Sequence, residues 1–159
     1  MGLTIRRAAP RDAPEISRLL AQLGYAVEPD DVEHRLGRLA GDPGKAVWVA
    51  AAADGCLVGC GQAAVDLRLA EGERVEITSL VVDAAARGGG IGRRLTDAAE
   101  AWAAALGHRR LRVRCNARRE AAHRFYESAG FRETKSQKVF DKPIDPAPGG
   151  AADRRPEGA

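Results

Sequence analysis

Four of the five residues from Gly88 to Gly92 are glycine, with Arg87 before them and Arg93 and Arg94 around them. Glycine at this density removes Cβ atoms where a backbone must approach something closely. The preceding Leu80-Val81-Val82-Asp83 reads as a buried strand, and the following residues read as a helix from about Ile91 to Leu106. A helix start presents unpaired N–H groups and a positive dipole end. Strand, glycine turn and helix start together bind an anion, above all a phosphate or pyrophosphate. Spacing narrows the ligand. A P-loop requires Gly-x-x-x-x-Gly-Lys-Ser/Thr, and no lysine follows these glycines. A dinucleotide fingerprint requires Gly-x-Gly-x-x-Gly; counted from Gly88 its last position holds Arg93, and counted from Gly90 it holds Leu95. The pattern that fits is Arg-x-x-Gly-x-Gly, as Arg87-Gly88-Gly89-Gly90-Ile91-Gly92.

Downstream, Asn116 follows a strand-like run, a short helical stretch follows it, and Phe125-Tyr126-Glu127-Ser128-Ala129-Gly130-Phe131 closes the segment. The two motifs, separated by one helix and one strand, resemble the two signatures of the GCN5-related N-acetyltransferase (GNAT) superfamily. The similarity spans roughly Leu3 to Ile144, specific across the motifs and general in layout over the N-terminal third. It implies an acetyl-CoA-dependent N-acetyltransferase acting on a primary amine of a small molecule or peptide, by direct attack in a ternary complex. The loop Arg87, Gly88, Gly89, Gly90, Ile91 and Gly92, with Arg93, would hold the pyrophosphate. In the family the strand before the loop parts from its neighbour. Backbone groups of Leu80, Val81 and Val82 would then hold the pantetheine arm like an added strand, one N–H aimed at the thioester oxygen. By the same resemblance Asn116 hydrogen-bonds the pantetheine or an ordered water; a plain turn asparagine is the alternative. Tyr126 lies near the cofactor sulfur as general acid, a phenol of ordinary pKa near ~10 being protonated at neutral pH. The plainer role of Tyr126 is packing with Phe125 and Phe131.

Acyl transfer also requires the amine to lose a proton. Glu76 is the candidate base. Strand alternation puts Glu76, Thr78, Leu80 and Val82 on one face. Glu76 lies eleven positions before Arg87, the spacing of the base glutamate in GNAT histone acetyltransferases. The alternative is a surface glutamate or an ion pair with Arg74. Many relatives carry acidic residues two and three positions later, where this chain has Thr78 and Ser79. Ala86 and Gly89 replace a bulkier and a charged residue respectively, which loosens the cofactor loop. His123, one helical turn before Tyr126, reads as an exposed-face histidine. Glu28, Asp30, Asp31 and Glu33 offer attraction for a cationic amine, or simply acidic capping of a helix.

These readings leave two rivals: a non-catalytic acyl-CoA-binding or sensing module, and a nucleotide-binding regulator, against which the failed spacings argue. With 159 residues, the chain holds one domain. Net charge +3 without a concentrated basic stripe argues against a nucleic-acid partner. Cys56, Cys60 and Cys115 lack Cys-x-x-Cys spacing and form no recognisable metal set with His34, His108 and His123. All three cysteines read as small buried hydrophobes in the reducing cytoplasm. No apolar run approaches the ~20 residues that span a bilayer.

The elements that must position this chemistry follow from periodicity. Leu3 to Ala8 predicts a strand. Pro10 begins a helix, with Asp12 as N-cap and Ile16, Leu19, Leu20 and Leu23 inward, and Pro29 begins another carrying Val32, Leu36 and Leu39. Ala46 to Ala53, a turn at Asp54-Gly55, and Cys56 to Leu69 predict a hairpin, and Arg74 to Val82 a third long strand. Leu95, Ala98, Ala99, Trp102 and Leu106 form the inner stripe of the helix after the loop. Arg110 to Cys115 predicts a strand, Arg119 to Ala129 a helix, and Phe131 to Phe140 a final strand pair or extended segment. The expected fold is α/β (α+β): a single domain over 3–144 with a mixed, mostly antiparallel sheet and helices on both faces, then a disordered tail over 145–159. The resemblance also points to a homodimer through the last strands, at Lys138-Val139-Phe140.

Overall fold

The architecture follows from alternating apolar strands that need cover on both sides. The computed structural model describes residues 2–149. β1 (Thr4–Arg7) leads through a 3-10 turn (Pro10–Asp12) into α1 (Ala13–Ala21) and α2 (Pro29–Ala40). β2 (Lys45–Ala51), β3 (Leu57–Arg68) and β4 (Gly72–Val82) form a meander. A second 3-10 turn (Ala84–Ala86) precedes α3 (Ile91–Ala105), β5 (Leu111–Val113) and α4 (Glu120–Ser128). The sheet order is β1-β2-β3-β4-β5, antiparallel except for the parallel β4–β5 pair. This is the mixed, mostly antiparallel sheet expected.

Each face carries its own core. α1 and α2 contribute Ala13, Ile16, Leu19, Val32 and Leu36, which meet Val49, Leu57, Cys60 and Val81 of the sheet. On the other face Ile91, Leu95, Ala99 and Ala103 of α3 meet Ala46, Trp48, Ala50, Ala63, Val75 and Ile77. Contact between α3 and the sheet is close because β3 has glycine there. A Cβ on Gly59 would lie 3.0 Å from both Ile91 and Leu95 side chains and 3.2 Å from Val81 O.

Four expectations change. Asp12 does not cap α1 with its side chain; its carboxylate accepts from Ala9 N at 2.7 Å and from Arg6 through two bonds of 2.7 and 2.8 Å. The inward stripe of α3 runs through Ala103, while Leu106 is exposed past the helix end. Cys56 is exposed in the hairpin turn, whereas Cys60 is buried. Of the two readings of 131–140, a strand pair or an extended segment, the strand pair does not form among the described residues: 131–149 form no helix or strand, and Val139, Phe140 and Ile144 are 81, 86 and 82% exposed. Polar residues and prolines dominate that stretch, so a single chain gives it little apolar surface to bury. Of the expected tail, residues 145–149 are exposed without regular structure, and 150–159 lie outside the described residues. Among the described residues no helix is long and apolar enough to cross a membrane.

Candidate active site

The anion loop is assembled from a strand end, a tight turn and a helix start. After β4, Asp83 N donates to Val58 O at 2.9 Å, and Asp83 Oδ1 accepts from Ala85 N at 3.0 Å. Arg18 of α1 grips the other oxygen, Oδ2, at 2.5 Å and Leu57 O at 2.8 Å. Its guanidinium holds the Asp83 carboxyl below the usual carboxylate range. Gln22, just past α1, accepts from Ala84 N at 2.9 Å. The first helix therefore fixes the entrance to the loop.

Gly88 and Gly90 adopt φ of +82° and +76°, a region that side-chain-bearing residues rarely enter. Among the described residues nothing lies within 4 Å of a Cβ built on either, so the backbone there is open to an approaching group. Gly90 caps α3 without a side-chain hydrogen bond, leaving the first-turn N–H groups uncovered by any described side chain. This cradle fits a pyrophosphate in geometry and sign. Gly92 has a different job. A Cβ there would sit 3.1 Å from the Phe125 ring, so this glycine lets α4 pack against the start of α3. The flanking arginines also differ. Arg87 is exposed at the loop, its Nε donating to Val82 O at 3.3 Å. Arg93 is engaged along the helix, with Asp97 at 2.9 Å and Ser128 O at 3.4 Å.

β4 supplies the second component. Its register against β3 slips between Gln62 and Ala63, which pair with Ser79 and Ile77 and leave Thr78 as the extra residue of a β-bulge. One inserted residue reverses the alternation beyond it. Val75 and Ile77 face α3 before the bulge, and Leu80 and Val82 do so after it, while Val81 faces α1 and α2. Glu76 therefore does not share a face with Leu80 and Val82, contrary to simple alternation. β5 pairs with β4 only at Val75–Leu111, Glu76–Arg112 and Ile77–Val113. From Thr78 to Val82 that edge of β4 has no strand partner among the described residues, and its backbone groups are available to an extended ligand.

Glu76 is buried, at 5% exposure. Its partner is Arg114, just past β5, whose Nε donates to Oε1 at 2.6 Å. Arg74 is not its partner; that guanidinium binds Glu71 and Asp66. Tyr126 is half-buried on α4, edge-on to Phe125 and Phe131 at 5.1 and 5.6 Å between ring centres. Burial, with nearby Cys115 adding and Arg119 opposing, pushes its phenol up to about 12. Tyr126 therefore packs against both neighbouring rings and keeps its phenol protonated near neutral pH. Asn116 Oδ1 is used locally, accepting from Arg118 N at 2.9 Å, and His123 Nε2 donates to Asn116 O at 2.9 Å. Glu28, Asp30, Asp31 and Glu33 are exposed around the start of α2.

Arg18, Gln22 and Arg114 were not legible as site residues. Arg114 had a faint signal, as a cation at the end of a strand predicted to lie beside Glu76's own. Arg18 and Gln22 had none, because their partners are more than sixty positions away.

Comparison with known proteins agrees with this geometry. The model of the acetyltransferase (GNAT) family matches residues 13–131. The aminoglycoside N(6')-acetyltransferase type 1 of Stenotrophomonas maltophilia is 30% identical over 148 residues, covering 91% of this chain and 95% of that protein. The crystal structure of an aminoglycoside antibiotic 6'-N-acetyltransferase from Acinetobacter baumannii superposes with a TM-score of 0.79 at 17% identity, over 91% of this chain and 100% of its own. A related 6'-N-acetyltransferase solved with the bisubstrate analogue CoA-S-monomethyl-acetylneamine gives a TM-score of 0.79 at 19% identity, over 91 and 100%. These two likenesses are likenesses of fold. The strand, glycine cradle and helix start are thus those of an acetyltransferase. The chain belongs to the acetyltransferase (GNAT) family.

Proposed function

We propose that this protein acetylates a primary amine of a cationic small molecule, of the aminoglycoside or polyamine kind, by direct attack within a ternary complex. The observation that carries the reading is the open glycine cradle at the end of a strand whose edge, among the described residues, is unpaired from Thr78 onward. Arg87 and the backbone of Gly88 to Gly92 bind the pyrophosphate, Arg93 bracing the helix from Asp97. The Leu80–Val82 backbone receives the pantetheine arm, an N–H there meeting the thioester oxygen where charge develops. Glu76 takes the amine's proton, directly or through water, and Tyr126 returns one to the departing sulfur. Asn116 shapes the turn beside that arm. The acceptor preference is supported by the 30% identical aminoglycoside N(6')-acetyltransferase. A peptide amine is the other acceptor class of this chemistry.

The same reading takes residues 3–144 as the catalytic domain, places it in the cytoplasm, where Cys56, Cys60 and Cys115 stay free thiols, and gives it a homodimeric form. The exposed Val139 and Phe140 and the outer edge of β5 supply the contact between copies. The test is thiol release from acetyl-CoA in the presence of aminoglycosides, polyamines, amino acids and short peptides. Amine-dependent release lost in Glu76→Gln and Tyr126→Phe supports the assignment. CoA binding with no turnover on any amine returns the non-catalytic alternative.

A further inference from the structure

Four arginines carry charge near Glu76; one of them, Arg68, is held by Asp66 at 2.7 Å while its charge also acts on Glu76. Arg112 lies opposite Glu76 in the β4–β5 register, yet its guanidinium reaches Glu71 at 3.7 Å. Arg74 is drawn to Glu71 and to Asp66. Among the described residues, Arg114 alone donates a hydrogen bond to Glu76. The pair is lopsided. The Glu76 side chain is 7% exposed and the Arg114 side chain 59%. The remaining carboxylate oxygen, Oε2, is buried and accepts no hydrogen bond among the described residues. A buried acceptor without a donor is costly, so the site is prepared for a donor that the fold itself does not provide. An exposed guanidinium on one hydrogen bond is held weakly and can swing into water. The buried carboxylate cannot follow it.

We infer that Arg114 is a displaceable counter-ion and the residue that selects the acceptor. A cationic amine takes the place of the guanidinium, donating to Oε1 and to the otherwise unmatched Oε2. A neutral amine cannot make this exchange, because it would leave a buried carboxylate without a compensating charge. The inference rests on the proposed placing of a cationic acceptor at Glu76 and adds the residue that enforces this charge preference.

The test uses the full chain saturated with CoA. Affinities are measured by calorimetry for kanamycin and spermidine, which are cationic, and for p-anisidine, an aromatic amine that is neutral near pH 7. Arg114→Gln tightens binding of the two cationic amines about fivefold, the factor set by one exposed ion pair. It leaves p-anisidine and CoA affinity unchanged, and Arg114→Lys stays close to wild type. Unchanged or weaker binding of the cationic amines, or an equal gain for p-anisidine, overturns the inference. Should Arg114→Gln fail to fold, Glu76→Gln decides the matter: the cationic amines lose affinity and p-anisidine does not, and an equal effect on both overturns it. If Glu76→Gln keeps full turnover, the base assignment is wrong while these affinities still judge the exchange.

Discussion

Glu76 and Tyr126 are the proposed proton acceptor and donor, and each role can be tested by a substitution that keeps its shape. Glu76 → Gln keeps the shape and the acceptor oxygen but removes the basic group. Its kcat is expected to fall about 10²–10⁴-fold, the usual share of general-base catalysis, with the KM for acetyl-CoA unchanged. Steady-state kinetics varying each substrate in turn checks this. The phenol of Tyr126, pushed up to about 12, is protonated throughout the working range. A raised pKa on a neutral acid keeps the donor loaded, so no alkaline loss of kcat from this group appears between about pH 8 and 10. A pH profile of wild type beside Tyr126→Phe, the variant being depressed at every pH, tests the assignment. Asp12 works in the opposite sense. Its carboxyl is held below the usual range first by hydrogen bonds from Arg6, then by the bond from Ala9. A lowered folded pKa contributes stability above the unfolded value near ~3.9, and that stability is lost as pH falls through the folded pKa. Asp12→Asn should therefore cost about 1–3 kcal/mol at pH 7, and the gap from wild type should narrow as pH falls below the unfolded value in denaturant titrations. Glu76, Tyr126, Asn116 and the loop glycines could be picked out by type and spacing. Who partners them could not: Arg74 is two positions from Glu76 in sequence, yet the partner is Arg114, 38 positions away.

At the scale of elements, the glycines divide into those that admit a ligand and those that admit a helix. Gly90→Ala forces an alanine into left-handed φ in the open cradle. The strain is about 1–2 kcal/mol, so CoA affinity measured by calorimetry should weaken roughly tenfold. Gly59→Ala acts instead on packing, because its Cβ meets Ile91, Leu95 and the backbone oxygen of Val81. α3 must lift from the sheet, costing about 1–3 kcal/mol, and thermal unfolding should show a Tm lower by roughly 2–10 °C. Helix and strand positions were readable from periodicity because the pattern that makes an element amphipathic is local. The bulge at Thr78 was not. It depends on how Gln62 and Ala63 register with β4, and a slip of one residue leaves no mark on either strand's own composition.

The molecule as a whole is a sheet sandwiched between α1–α2 and α3, with the candidate site at the end where β4 and β5 separate. Residues 141–149 are exposed and without regular structure, so a chain ending at Ile144 should retain turnover and a melting temperature within about 2 °C of the full length, a shift below that of a 1 kcal/mol change. The exposed apolar side chains before that end predict that Val139→Asp with Phe140→Asp abolishes any dimer seen in sedimentation. The amino-acid sequence by itself determined the anion loop, the order of elements through α4 and the two motifs that mark the family. Each of these rests on neighbours within one or two turns or one hairpin. Only the tertiary structure decided which face Glu76 occupies, that Arg114 pairs with it, and that Arg18 and Gln22 brace the loop from α1 and its C-cap. Those are meetings of distant residues, and strand register and side-chain competition, neither written locally, choose among the available partners.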